Sequence, residues 1–209
     1  MEYFDISPLI GTSTPVFPGD QAYERELTLD MAKGANIALS WIKTTLHIGA
    51  HTDAPSHYHR DGSSIELRDL NFFMGPCQVI DVTHVGPRRI MPEDIAGIAV
   101  TAERVLFKTK SFIHDQTFQL AFTSLSPELI DSLARNGAVL VGLDTPSVDP
   151  EDSKDLPSHA ALYRHNLAVL EGVDLDRVPA GVYKLVALPL RLEGADASPV
   201  RAVLLPLSF

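Results

Sequence analysis

Cysteine is nearly missing from this chain: Cys77 is the only one among 209 residues. A single thiol cannot close an intramolecular disulfide, and it cannot build a zinc knuckle of four cysteines. Basic residues are also scarce. Seventeen Lys and Arg stand against 27 Asp and Glu, a formal charge of −10. No basic run interrupts that acidity, which argues against a nucleic acid, because phosphate binding depends on clustered Lys and Arg. Long apolar runs are lacking too. No stretch approaches the ~20 apolar residues that cross a bilayer, so no membrane is expected. The opening MEYFDISPLI has no basic flank and no long apolar core, so it does not read as a secretory signal, and the expected location is cytoplasmic. The chain also lacks internal repeats, low-complexity segments and long linkers. Residues 1–209 therefore read as one domain. A content of 45% hydrophobic and 21% charged residues is ordinary globular composition and excludes disorder.

Against these absences stands the run His47-Ile48-Gly49-Ala50-His51-Thr52-Asp53-Ala54-Pro55-Ser56-His57, with three histidines and a carboxylate in eleven residues. Imidazole nitrogen and carboxylate oxygen are ligands that divalent zinc accepts. In a straight strand, residues four apart are separated by about 13 Å, whereas two nitrogens on one ion can be only about 4 Å apart. The chain must therefore bend between His47 and His51, and Gly49 is the residue whose backbone permits it. The expected form is a strand ending near His47, then a tight bend that gathers His47, His51 and Asp53. A helix over 45–53 is disfavoured, because Asp53 would point away. Three ligands leave a position open for water, the mark of a catalytic site. His57, beyond Pro55, reads as a further ligand or a nearby acid/base group. His59 reads as a surface histidine without an evident partner. His84, His114, His159 and His165 remain as possible ligands, and spacing does not choose among them. Glu171, where a strand runs into Gly172, is a further candidate, since ligands gather at the carboxyl ends of strands in α/β sheets.

Elements follow from periodicity and from breakers. Tyr3–Ile10 reads as a strand and 11–20 as a loop. From Ile37, apolar residues alternate through Ile42, Thr44, Leu46 and Ile48, a period of two that predicts a strand with one buried face. Gln78–Thr83 and Arg104–Thr109 are further strands. Ser126-Pro127-Glu128 begins a helix with Ser as N-cap, Leu129, Ile130 and Leu133 form its apolar stripe, and Asn136-Gly137 ends it. Ala138–Leu143 then reads as a strand buried on both faces. Ser158 is expected to cap a second short helix that leads into strand Leu167–Leu170. Gly181–Leu192 and Val200–Leu207 read as long strands around a loop at Glu193–Pro199. Strands outnumber helices, and two helix-to-strand units lie in the middle, so the fold class is α/β with a mixed sheet. Asp144 and Asp149 read as turn and supporting hydrogen-bond residues, and Tyr163 and His165 as packing or surface groups. Ser56 lies beside His57, but no G-x-S-x-G elbow surrounds it, which argues against a serine nucleophile.

The pattern His47-x-G-x-His51-x-Asp53-x-P-x-His57 resembles the signature of the metal-dependent cyclase/formamidase family. Three segments, Ser13–Asp20, Leu143–Pro150 and Leu170-Glu171-Gly172, point to its formamidase branch, and Gly194–Arg201 also fits. The resemblance implies a swivelling β/β/α domain and a site for two Zn²⁺ per subunit. His47, His51 and Asp53 match the ligands of one zinc. Asp53 and Glu171 match carboxylates that bridge to the second, and His159 matches that ion's histidine. His57 matches the acid/base position. Phe17 stands in a substrate-contacting loop where the family usually has tryptophan. The implied reaction is zinc-dependent hydrolysis of a small molecule, N-formyl-L-kynurenine, to L-kynurenine and formate, a step of tryptophan degradation. The implied assembly is a homodimer, in which a loop carrying Phe17 and Tyr23 could complete the neighbour's site. The competing expectations are a cyclic-amide (isatin-type) hydrolase using manganese and a non-catalytic metal-binding module.

Overall fold

The computed structural model describes residues 2–114 and 117–207. Its strands, in chain order, are β1 (Phe4–Asp5), β2 (Glu24–Leu29), β3 (Leu39–Lys43), β4 (His51–Asp53), β5 (Met74–Asp81), β6 (Arg89–Ile90), β7 (Arg104–Lys108), β8 (Ser124–Leu125), β9 (Leu140–Leu143), β10 (Ala168–Leu170), β11 (Gly181–Val186), β12 (Ala197–Pro199) and β13 (Val203–Leu205). The α-helices are α1 (Pro55–Tyr58), α2 (Pro127–Arg135) and α3 (Pro157–His165). No helix among the described residues is long and apolar enough to cross a membrane.

Seven strands form one mixed sheet in the order β1-β13-β11-β5-β7-β9-β10. The first four pair antiparallel, and β5 through β10 pair parallel. The parallel half carries short apolar runs, Val105–Phe107 in β7, Leu140–Leu143 in β9 and Ala168–Leu170 in β10, as expected of strands covered on both faces. Val105 and Phe107 of β7, Val141 and Leu143 of β9 and Val169 of β10 pack beneath Leu129, Ile130 and Leu133 of α2 and Leu162 of α3. Their alternates Leu106, Leu140 and Leu170 join Ile6, Ala50, Phe73 and Val173 on the opposite face. The helix α2 follows its sequence signals: Ser126 accepts from the Leu129 N–H, Pro127 is the first helical residue, and Gly137 leaves the helix with φ +90°.

Several expected strands are shorter than their apolar patterns. The first is confined to Phe4–Asp5 ahead of Pro8, β11 stops at Val186 ahead of Pro189, and β13 stops at Leu205 ahead of Pro206. Proline has no N–H to give to a ladder. Residues Glu193–Pro199 are not all loop, because Ala197–Pro199 forms β12 and pairs antiparallel with β4. The strand expected from Ile37 ends earlier, at Lys43, and pairs with β2 as a two-stranded ribbon. Its expected buried face is absent within this chain. All of β3 is exposed, with Trp41 40% and Ile42 61% accessible.

Ser158 is not the cap of α3. It lies inside the helix, where its Oγ donates to the Leu125 carbonyl at 2.7 Å. The residue at the N-cap position is Leu156, at φ +43° and without a capping side chain. Asp149 does the capping from outside, accepting from Ser158 N at 3.2 Å and His159 N at 3.0 Å. A remote carboxylate satisfies the same free N–H groups that a local serine would.

Candidate metal centre

Two strand ends and one bend assemble the centre. Gly49 turns the chain at φ +57°, and the bend delivers His51 to β4. There His51 forms a bridge with Glu171, its N–H donating to the Glu171 carbonyl at 3.0 Å while the Glu171 N–H returns at 2.9 Å. The expected bend is therefore present, although the residues between Lys43 and His51 form no regular strand. Gly172 makes the approach possible. It has φ +65°, and a Cβ there would lie 2.2 Å from the Gly49 carbonyl oxygen. Glu171 lies one residue beyond β10, and His159 comes from the first turn of α3. The carboxyl end of the parallel sheet and the N-terminus of α3 thus face the bend.

Three groups of potential ligand atoms result, one of them the half-exposed set His47, His57 and Asp196 at the rim, and two deeper. Of the deeper two, His47, His51 and Asp53 form one, and Asp53, His159 and Glu171 form the other, with Asp53 common to both. His51 Nε2 is 3.5 Å from Asp53 Oδ1 and 3.3 Å from Glu171 Oε2, and His159 Nε2 is 3.6 Å from Asp53 Oδ2. Two ligand atoms each about 2 Å from one tetrahedral ion lie about 3.4 Å apart. His51 Nε2 is buried without any hydrogen-bond partner, and Asp53 Oδ1 is buried against two imidazole nitrogens, His47 Nδ1 at 2.9 Å and His51 Nε2 at 3.5 Å. Burial without a partner is costly for such an atom, and a cation shared with Asp53 would satisfy it.

The outer nitrogens define the tautomers. His47 Nε2 donates to Asp196 Oδ2 at 3.1 Å, His51 Nδ1 to the Gly49 carbonyl at 3.0 Å, and His159 Nδ1 to Asp149 Oδ2 at 2.8 Å. With a metal bound, each ring would offer it the lone pair of the nitrogen that faces the cluster, which for His47 is Nδ1, 2.9 Å from Asp53 Oδ1. An outer hydrogen bond of this kind is what metal-binding histidines use to hold their orientation. Asp149 is itself held by Arg89, at 2.7 Å, and Arg89 also reaches Ser158 Oγ and the Leu125 carbonyl. Glu171 Oε1 accepts from the Val148 N–H at 2.8 Å.

Without a cation, protons take its place. Burial would push the His47 imidazolium down, but the Asp53 and Asp196 carboxylates hold it up at about 9. Burial opposes His159 in the same way, and Asp149, Asp53 and Glu171 raise it to about 10. Burial works to raise Asp53, but His159, His47 and His51 keep it well below the usual carboxylate range. Asp149 is brought down to about 2 against its burial, by His159 and Arg89. A concentration of opposite charges that titrates so far from ordinary values is characteristic of functional sites.

His57, on α1, stands at the edge of the cluster with its side chain 35% exposed. Its Nε2 is 4.0 Å from Asp53 Oδ2, and its Nδ1 is 3.5 Å from Asp196 Oδ2. The cluster opens into a cleft of about 470 Å³ whose walls include Phe17, Phe112, Phe118, Pro146 and Leu156. Phe17 packs edge-on against Phe118, with ring centroids 5.2 Å apart. Phe17 therefore lines the cleft of its own chain.

The other sequence candidates fall elsewhere. His59, expected to have no partner, stacks on Tyr163 at 3.6 Å. His165 pairs with Asp131 at 2.9 Å. His84 joins no ligand group among the described residues. His114 lines the cleft outside the ligand groups. Asp144 is occupied by the N–H groups of Thr109 and Lys110, each at 2.9 Å. Ser56 does not line the cleft. Three contributors were invisible as individuals: Asp196, Arg89 and Phe118. Asp196 lay within a segment already noted for its resemblance, but only the pairing of β12 with β4 places it beside His47.

A family model, Cyclase, described as "Putative cyclase", matches residues 4–150. The kynurenine formamidase of Polaromonas naphthalenivorans (strain CJ2) is 44% identical over 209 residues, spanning 100% of this chain and 92% of that protein. The kynurenine formamidase of Bordetella pertussis (strain Tohama I) is 44% identical over 202 residues, 96% of each chain. Among solved structures, a potential metal-dependent hydrolase with cyclase activity superposes with a TM-score of 0.84 at 32% identity, over 97% of this chain and 96% of that one. An isatin hydrolase bound to the product analogue thioisatinate shares the fold, with a TM-score of 0.81 at 22% identity over 98% and 92% of the two chains.

Proposed function

This chain belongs to the Cyclase family, and on that premise we propose that it is an arylformamidase, a metal-dependent hydrolase that converts N-formyl-L-kynurenine to L-kynurenine and formate. The observation that carries the reading is the convergence of three imidazoles and two carboxylates, His47, His51, Asp53, His159 and Glu171, with His51 Nε2 buried and unsatisfied, in an aromatic-walled cleft. The relatives at 44% identity support the formamide over a cyclic amide. The isatin hydrolase, at 22% identity, shares only the fold.

The ligands in this proposal are His47, His51 and Asp53 for one Zn²⁺ and Asp53, His159 and Glu171 for a second. Imidazole with carboxylate is the donor set zinc accepts in catalytic sites. When bound, such an ion supplies Lewis acidity, polarising a carbonyl and lowering the pKa of a coordinated water toward 7. The protein supplies the rest. His57 takes a proton from the attacking water as the new C–O bond forms. It returns that proton to the aryl nitrogen as the C–N bond breaks, so the amine leaves neutral. An imidazole titrates in the range where both transfers are feasible. Phe17 and Phe118 offer their faces and edges to the substrate's aryl ring, and water is excluded along that wall.

The proposed assembly is a homodimer in the cytoplasm. Support comes from the β2–β3 ribbon, where Leu27, Leu29, Leu39, Trp41 and Ile42 are all exposed on one excursion of the chain. A patch of that kind signals an interaction surface, and the period-two pattern of β3 is satisfied only if something outside the chain covers it.

The deciding experiment is a turnover assay with N-formylkynurenine and isatin on one zinc-loaded sample, with metal content measured on the same sample. Formamide hydrolysis that disappears with a chelator and returns with Zn²⁺ is the expected outcome. Isatin turnover without formamidase activity would assign the cyclic-amide branch, and full metal with neither activity would leave a binding module.

A further inference from the structure

The proton-transfer assignment leaves one question open, namely what holds His57. Its ring is partly exposed, and its own short helix, Pro55–Tyr58, gives it an edge-on contact with Tyr58. A histidine free to rotate would present either nitrogen, or neither, to the cluster. Asp196 answers this. One of its oxygens, Oδ2, lies 3.1 Å from His47 Nε2 and 3.5 Å from His57 Nδ1. The two imidazoles lie together, with centroids 4.1 Å apart. Asp196 thus touches both rings at the rim of the cleft, where it forms a potential ligand group with them, whereas His57 Nε2 looks toward Asp53 Oδ2 at 4.0 Å.

The backbone holds this arrangement. Ala54 N donates to the Asp196 carbonyl at 2.8 Å, and His57 N donates to the Ala54 carbonyl at 2.9 Å. Asp196 and His57 are therefore fixed to the same residue, at the junction of β4 and α1. Next along the chain, β12 is paired to β4 with Ala197 opposite Asp53. The carboxylate, the acid/base ring and the shared ligand Asp53 are set by one short piece of sheet.

We propose that Asp196 is a positioning residue: it fixes the His57 tautomer that carries its proton on Nδ1, leaving Nε2 to exchange the reaction's proton, and it holds His47 by the same oxygen. Hydrogen bonds to Gly49 and Asp149 set the His51 and His159 rings in the same sense, whereas Asp196 acts on His57 across an ion-pair distance of 3.5 Å. A carboxylate that selects a catalytic histidine's tautomer is a general device. Here one carboxylate serves a ring that binds metal and a ring that moves protons. The inference rests on the reading of His57 given above.

The test is a double-mutant cycle on protein loaded to wild-type zinc content, comparing Asp196→Ala, His57→Ala and the pair. Asp196→Ala is expected to lower kcat about 10- to 100-fold with KM changed less than about threefold. In the His57→Ala background the same substitution is expected to lose most of this effect, because the proton-transfer ring is gone and the matched zinc content covers the hold of Asp196 on His47. A second readout is independent of turnover. Long-range ¹⁵N NMR of the histidine rings should show His57 as the Nδ1–H tautomer in wild type and as a mixture in Asp196→Ala. Asp196→Asn keeps an oxygen acceptor and should recover most of the ordered tautomer. If Asp196→Ala folds poorly, Asp196→Ser takes its place in the same cycle under the same criteria. A loss that persists undiminished without His57, or an unchanged His57 tautomer, overturns the proposal while leaving the formamidase reading intact. Full activity in His57→Ala would instead overturn the acid/base assignment, and this inference with it.

Discussion

Replacing Asp149 by alanine should damage stability and metal binding together, because this carboxylate makes four contacts that no other group can supply. It caps α3 through Ser158 N and His159 N at 3.2 and 3.0 Å, holds His159 Nδ1 at 2.8 Å, and pairs with Arg89 at 2.7 Å. Loss of a helix cap costs about 1–2 kcal/mol. Breaking a buried ion pair by removing one partner costs about 3–5 kcal/mol. That figure must be reduced to about 2 here, because Arg89 is 25% exposed and keeps two other acceptors. The metal-free variant should therefore lose about 3–4 kcal/mol. In a chain of this length that corresponds to a fall in Tm of about 6–16 °C. His159 would also lose the bond that aims its Nε2, and outer-shell losses of this kind weaken metal binding about 10- to 100-fold. Urea and thermal unfolding of metal-free protein measure the first effect, and competition with a chromophoric chelator measures the second. Asp149→Asn, which retains an acceptor oxygen, should fall between the two proteins. A metal-free variant within 1 kcal/mol of wild type, or one that binds zinc as tightly, would show that the Asp149 network holds neither the helix nor the ligand.

Other consequences follow from the same geometry. Gly172→Ala would place a Cβ 2.2 Å from the Gly49 carbonyl oxygen at φ +65°, so the His51–Glu171 bridge must open. Zinc content should drop while the far-UV spectrum changes little, and retained metal would refute the close approach. In metal-free protein His47 and His159 titrate near about 9 and about 10, so both are charged at pH 7. Both values are raised, so their stabilisation of the metal-free fold is complete below about pH 6.5 and fades as pH climbs through about 9–10. Zinc must displace these protons, so calorimetric titration at pH 7 in two buffers of different ionisation enthalpy should report release of one to two protons, with affinity rising with pH. Heats that do not depend on the buffer would contradict this. Burial pushes the Cys77 thiol up to about 12, leaving about one thiolate in 10⁴ at pH 8. Iodoacetamide should therefore leave the native protein unlabelled and modify it only on unfolding, and rapid native labelling would mean that the strand β5 opens.

Local rules reached a long way into this protein. The helix Pro127–Arg135 could be read from its Ser cap, its proline and its terminal glycine, since each acts within a few residues. The buried strand β9 could be read from its unbroken apolar run. The need for a bend at Gly49 followed from bond lengths alone, and Gly49 does adopt positive φ. Local rules failed where a remote group replaced a nearby one. Ser158 looked like a cap, but Asp149 does that work from nine positions earlier. The alternation from Ile37 promised a buried face, but among the described residues every position of β3 is exposed.

The metal-binding chemistry was written in residue types clustered within His47–His57, because short spacing leaves few other uses for three imidazoles and a carboxylate. Residue order alone did not show that His159 and Glu171 would meet them, and the family resemblance supplied that expectation. It also could not show that Asp196 touches two rings or that Phe118 backs Phe17. Those placements depend on which strand lies beside which, on β12 pairing with β4 and on β10 ending against the bend. Such neighbourhoods are set by the burial of the whole sheet, to which distant segments contribute at once, so no window of sequence contains them.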